Sequence, residues 1–137
     1  MAWLNATPKP PEGSKRTNTD NEQAPLSRAD QMKRDGITPS MPSNPAPHVL
    51  ARLLEIGLTE AAGMGAGPIS WQSIRAWQDC FGTSLSRWEI RLLRKLSIEY
   101  LAESRRAESE NCPPPWRAQV SQREKEVEVQ RLQMVLG

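Results

Sequence analysis

Apolar residues in this chain gather at helical spacing in its middle and thin out toward both ends. Val49, Leu50, Leu53, Leu54 and Ile56 fall near three- and four-residue intervals, which predicts a first strong helix over residues 46–57. Pro45 and Pro47 suit its first turn, where a missing N–H costs little, and Gly57 is a natural stop. A second helix is expected over residues 71–81, with Ser70 as its N-cap and Gly82 at its end. Trp71, Ile74, Trp77 and Phe81 line one side of it. Residues 87–108 predict the third and longest helix, opened by a Ser86/Glu89 capping box and a Leu85/Ile90 staple. Its expected buried stripe is Trp88, Leu92, Leu93, Leu96, Tyr100 and Leu101, with Arg87, Arg91, Arg94 and Lys95 largely on the other side. Residues 59–69, with Gly63, Gly65 and Gly67, read as a loop between the first two helices.

The flanks carry a different pattern. Residues 1–26 hold Pro, Lys, Thr, Asn and Glu with few large apolar groups, and read as disorder. Trp3 and Leu4 are the exception, either incidental or a small docking anchor. Residues 27–36 read as a short helix capped by Ser27, with Asp30 in its first turn and Gly36 closing it. A proline-rich linker follows as far as Pro47. Asn111-Cys-Pro-Pro-Pro115 stops the third helix, because proline cannot continue one. Residues 117–135 read as a charged helix in which Val120, Val127 and Met134 stand seven apart. The positions between them, Glu124 and Arg131, are charged, so no coiled-coil seam is expected, and this helix frays or orders on a partner. The predicted fold is all-α. A small three-helix core occupies residues 45–110, after a disordered, Pro-rich leader with one short helix over 1–44. A Pro-rich stop and charged helical tail occupy 111–137.

Composition narrows the function. Apolar residues make up 37% of the chain, against about 45–50% in an ordinary domain, and Pro and Gly together supply 20 of 137 residues. Only part of such a chain buries a core. The net charge is +2 and is spread evenly along the length, which argues against a dedicated nucleic-acid binder. Two cysteines, Cys80 and Cys112, and one histidine, His48, are too few for an ordinary four-ligand zinc site, and no metal or cofactor is expected. The cysteines allow one disulfide but read more simply as free thiols. No apolar run is long enough to span a membrane. The opening Met1-Ala-Trp-Leu-Asn has neither the basic nor the apolar region of a signal peptide, so the chain is expected to stay in the cytoplasm where it is made.

No catalytic constellation emerges. Gly63-x-Gly65-x-Gly67 lacks the Lys-Ser/Thr of a phosphate loop, and His48 has no nucleophile or carboxylate at a suggestive spacing. The second and third helices, joined by a short Gly-containing turn, allow a helix-turn-helix reading that would use Arg87, Arg91 and Arg94. Glu89, Glu99 and Glu103 interleave with those bases, as on a solvated charged face. Trp71, Trp77, Phe81, Trp88 and Tyr100 are a heavy aromatic load for three short helices, since each ring buries about 150–250 Å². Part of that surface is expected to stay open and to take a partner's apolar face.

The run Gly67-Pro-Ile-Ser-Trp-Gln-Ser-Ile-Arg-Ala-Trp-Gln78, then Leu85-Ser-Arg-Trp-Glu-Ile-Arg-Leu-Leu-Arg-Lys-Leu96, Tyr100-Leu-Ala-Glu-Ser104 and Cys112-Pro-Pro-Pro-Trp116, resembles the tail assembly chaperones of tailed bacteriophages. Trp3-Leu-Asn-Ala-Thr-Pro8, Ser27-Arg28 and Asn44-Pro-Ala-Pro47 are similar to the leader of the same group. The resemblance covers residues 3–116 and is either to such a chaperone or to the downstream part of one made by ribosomal frameshifting. It implies a non-enzymatic protein of the host cytoplasm that keeps tail tube subunits and the tape measure protein assembly-competent, then leaves before the virion is complete. Trp71, Trp77, Trp88 and Tyr100 are then chiefly structural. Leu50, Leu53 and Leu54, with Trp3 and Trp116, are the candidate partner-binding residues. A minor structural component of the tail or head–tail junction, and the small helix-turn-helix regulator, are the rival readings.

Overall fold

The computed structural model describes residues 1–11, 25–116 and 119–137. Among them are six helices and one two-stranded hairpin: α1 (Ala2–Asn5), α2 (Arg28–Arg34), α3 (Pro47–Ile56), β1 (Glu60–Ala62), β2 (Gly65–Gly67), α4 (Trp71–Phe81), α5 (Arg87–Arg106) and α6 (Gln122–Leu136). They fall into two compact units. One gathers Met1, Trp3–Ser43 and Ala107–Gly137, and the other holds Ala2 and Asn44–Arg106.

The unit of residues 44–106 has the core. Val49 and Leu53 of α3, Ile74 and Trp77 of α4, Leu93 of α5, and Ile69 and Leu85 from the connections form one buried cluster. Leu50, Ile56, Leu58, Ile90, Leu92 and Leu96 pack around it. The helices begin and end for local reasons. The Ser70 hydroxyl accepts from the Ser73 N–H at 3.1 Å, and Gly82 closes α4 at φ 59°. The Ser86 N–H donates to the Glu89 carboxylate at 2.9 Å at the start of α5. Glu89 is also paired with Arg52, which ties α5 to α3. On the inner side of α5 lies a small residue. Ser97 is fully buried, donates to the Leu58 carbonyl at 2.7 Å and accepts from the Ile69 N–H at 3.0 Å.

The hairpin corrects the all-α expectation. Residues 60–67 pair antiparallel, Glu60 with Gly67 and Ala62 with Gly65, around a two-residue turn. Gly63 takes φ 61° at the first central position, as a II′ turn requires. Two short strands are marginal alone, and this pair is tied down at its base. The Glu60 carboxylate accepts from the Ser70 N–H at 2.9 Å and from the Ser73 hydroxyl at 2.7 Å, while β2 packs on α5. Gly67 is buried, and a Cβ there would lie 2.7 Å from the Ala62 Cβ. Gly67→Ala is therefore expected to cost about 1–3 kcal/mol in thermal unfolding, because the rigid Ala62 methyl has no rotamer with which to move aside. An unchanged midpoint would show that the strands part without loss.

In the other unit, α2 starts at Ser27, whose hydroxyl accepts from the Asp30 N–H, as its sequence predicts. The leader departs from expectation where it is described. Ala2–Asn5 is helical and Leu4 is buried, while residues 12–24 of the expected disordered segment lie outside the described residues. The tail helix begins at Gln122 rather than 117, on a Ser121/Glu124 capping box, and residues 117 and 118 also lie outside the described residues. Val127 faces inward between Arg123 and Arg131, and both arginines bind Asp35 at the end of α2. The outer face of α6 then carries Val129, Leu132 and Leu136, all at least half exposed.

Candidate functional site

The exposed aromatics lie in the unit of residues 44–106. Trp71, Phe81 and Trp88 are each more than half exposed. Most of the aromatic group was expected in the core, and only Trp77 of the five α4/α5 aromatic residues is buried there. The reason is angular. The inward direction of α5 runs through Leu93 and Ser97, and at 100° per residue Trp88 projects to the opposite side. Trp77 closes over the core with its indole N–H donating to Glu55 at 3.2 Å, and Phe81 packs on it with ring centroids 5.4 Å apart. Trp71 is braced by the Arg94 guanidinium, 5.0 Å from its ring, and Arg94 also donates to the Ile69 carbonyl. Such a stacked cation holds a surface indole in one orientation.

The outer face of α5 is consistently basic. Arg87, Arg91 and Lys95 are exposed and spaced four apart, and Trp88 and Ile98 are exposed beside them. Among the described residues none of the three cations has a hydrogen-bond or ion-pair partner. The acids of the same helix are placed elsewhere. Glu89 is engaged by Ser86 and Arg52, Glu103 pairs with Arg106, and Glu99 stands on the flank.

The three leucines proposed from the sequence separate. Leu54 is 51% exposed, Leu50 rests against the rim of the core, and Leu53 is 3% exposed inside it. Leu53 is thus corrected from surface to core, since neighbouring helix positions differ by about 100° and only one of 53 and 54 can face inward. Trp3 and Trp116, placed in separate flanks by the sequence, meet edge to face at 5.7 Å in the other unit. Together with Met32, Pro39 and Pro114 they line a cleft of about 80 Å³.

The residue that organises that meeting was not among those singled out. Arg28 is buried and donates to the carbonyls of Trp3 at 3.2 Å, Ala107 at 2.6 Å and Ser109 at 2.8 Å. Its guanidinium also lies 4.7 Å from the Trp3 ring. Trp3 in turn donates its indole N–H to the Cys112 carbonyl at 2.8 Å. The N-cap serine and the Ser27-Arg28 pair of the resemblance mark this stretch, but nothing in the local pattern distinguishes Arg28 from a surface base.

Two carboxylates sit below their ordinary range. Glu60 is lowered first by the Ser73 hydroxyl and then by the Ser70 N–H, and Glu89 first by the Ser86 N–H and then by the Ser86 hydroxyl. A lowered folded-state value means that the unfolded chain binds more protons in acid. The stability these groups add is complete above the ordinary value of 4.5 and is lost as pH falls through the folded values. Glu60→Gln is expected to flatten the acid side of a thermal-midpoint-against-pH curve, and an equally steep acid fall would remove Glu60 as a cause.

Among the described residues no helix is long and apolar enough to cross a membrane, and Cys80 and Cys112 are free thiols. The described residues form a mainly helical scaffold that displays aromatic and basic side chains on its surface. The sequence matches the model of the phage tail assembly chaperone family over residues 32–102, just over half of the chain, and the chain belongs to that non-enzymatic family. The match takes in the end of α2, α3, the hairpin, α4 and most of α5, and leaves out Trp3, Arg28, Trp116 and α6. No curated protein and no solved structure matches the chain.

Proposed function

We propose that this chaperone binds the tape measure protein, the tail tube protein or both in the host cytoplasm, through the surface of residues 44–106. The observation that carries the reading is the display of Trp71, Phe81, Trp88 and Leu54, each more than half exposed around a core that is already closed without them. Exposed aromatics are enriched where binding energy concentrates. A client helix that is apolar on one face is covered by such a surface until it finds its place in the tail. Leu54 is the leucine of α3 available to a client, with Leu50 at its edge, while Trp3 and Trp116 offer a second contact on the flanking segments. Two modest contacts on one chain reinforce each other by effective concentration. Residues 45–110 act as the binding domain in this reading, with 1–44 and 111–137 as its arms.

The test is co-expression of the chain with the tape measure and tube proteins of the same phage, followed by pull-down at moderate salt. A complex that keeps the client in the supernatant, and that weakens in Leu54→Glu, supports the reading. Absence of any complex, with the chain instead found in purified particles by mass spectrometry, would replace the chaperone by a structural component of the tail.

A further inference from the structure

Most exposed helix faces mix acids with bases. The outer face of α5 does not. Measured around the helix from Arg91, at 100° per residue, Arg87, Lys95, Ile98, Ala102 and Arg105 fall within about 40°, and Trp88 lies about 60° away. No acid falls inside that arc, and Glu99 stands at its border. Arg87 to Ile98 spans about 16 Å of helix at 1.5 Å per residue. Arg87, Arg91 and Lys95 are exposed and, among the described residues, unpaired. Trp71, held by Arg94, extends the apolar part of the surface onto α4.

We infer that the outer face of α5 is a docking surface for an acidic amphipathic helix of a protein partner, whose carboxylates meet Arg87, Arg91 and Lys95 and whose apolar residues cover Trp88 and Ile98. The inference rests on the chaperone reading for the partner's identity, but its chemistry is argued from α5 alone. Cations four residues apart on one helix match carboxylates four apart on another laid alongside it. Their lack of partners within the chain leaves them available for that match, and complementary charge fixes register and speeds encounter. A polyphosphate backbone would use the bases and stack on Trp88. It would leave Ile98, an aliphatic group amid the cations, without an apolar counterpart, which favours a polypeptide.

The experiment uses the full chain and fluorescence anisotropy of a labelled synthetic helix with leucines on one face and glutamates four apart beside them. The controls are the same peptide with lysines for glutamates, and a 20-nucleotide single strand. The glutamate peptide is expected to bind, to weaken as salt rises, and to lose about tenfold or more in affinity in Arg87→Glu/Arg91→Glu/Lys95→Glu. Trp88→Ala is expected to weaken it as well, while Arg87→Lys/Arg91→Lys retains binding, and circular dichroism verifies the helix content of each variant. Equal binding of the lysine peptide, indifference to the triple substitution, or tighter capture of the oligonucleotide through these bases would overturn the proposal. The same variants in the co-expression pull-down separate the two readings. Client capture that survives the triple substitution keeps the chaperone proposal and removes this one. Selective peptide binding without any client complex does the reverse.

Discussion

Leu53→Asp is expected to abolish the folded state of residues 44–106 rather than to weaken a surface contact. Leu53 is 3% exposed and sits among Val49, Ile69, Ile74, Trp77, Leu85 and Leu93. A carboxylate there loses the leucine's transfer free energy and has no cation or donor built to receive it. The combined penalty is about 4 kcal/mol or more, on the scale of the whole stability of a small domain. Circular dichroism should show loss of helix and of a cooperative thermal transition. Leu54→Asp, one residue on and half exposed, should leave both nearly unchanged. If Leu53→Asp keeps a cooperative transition, the packing of α3 against the core is wrong. The pair of variants also matters for any binding assay, since a loss of client capture is informative only in the variant that still folds.

The second large effect is expected at Arg28. Its guanidinium gathers three carbonyls, from Trp3, Ala107 and Ser109, and stacks on the Trp3 ring. Arg28→Ala removes charge-assisted bonds and leaves buried acceptors without them, at a cost of about 2–4 kcal/mol to the unit of residues 3–43 and 107–137. Arg28→Lys should restore little, because a single ammonium does not present the planar fork that reaches carbonyls on both sides. The readout is local. Amide hydrogens near Lys9, whose N–H donates to the Glu108 carbonyl at 2.8 Å, should exchange faster, and the Trp3 fluorescence should shift toward that of a solvated indole. Unaltered exchange at Lys9 in Arg28→Ala would show that the arm is held by other contacts. Residues 44–106, which contain none of these atoms, should keep their transition.

The legible part of this fold was the part written in short-range pattern. α3, α4 and the start of α5 follow from apolar spacing together with Ser70, Ser86, Glu89, Gly57 and Gly82, because a helix satisfies its own backbone and needs only local caps. The hairpin escaped notice because Glu-Ala-Ala and Gly-Ala-Gly carry neither alternation nor β-branched residues. Its stability comes from Glu60 reaching Ser70 and Ser73, ten and thirteen residues on. The Gly63 turn signal is present in the sequence, where it reads as part of a loop. Of Val120, Val127 and Met134, spaced seven apart, Val120 lies before α6 and only Val127 is buried, while Val129, Leu132 and Leu136 form the outer stripe of that helix.

By itself, then, the sequence determined the helices of residues 44–106 and the short helix after Ser27, where most of them begin and stop, and that a small core would carry more aromatic surface than it could cover; the helix at Ala2–Asn5 it did not show. The resemblance it carries also led to the right family. The tertiary structure alone decided which rings stay outside, that Leu53 rather than Leu54 is core, and that Trp3, Arg28, Cys112 and Trp116 come together. The reason is one of range. Caps and periodicity act across a few residues and leave a local trace, whereas burial is set by which side of a helix its neighbours occupy. The partners of Arg28, up to 81 residues away, leave no mark on the sequence around it.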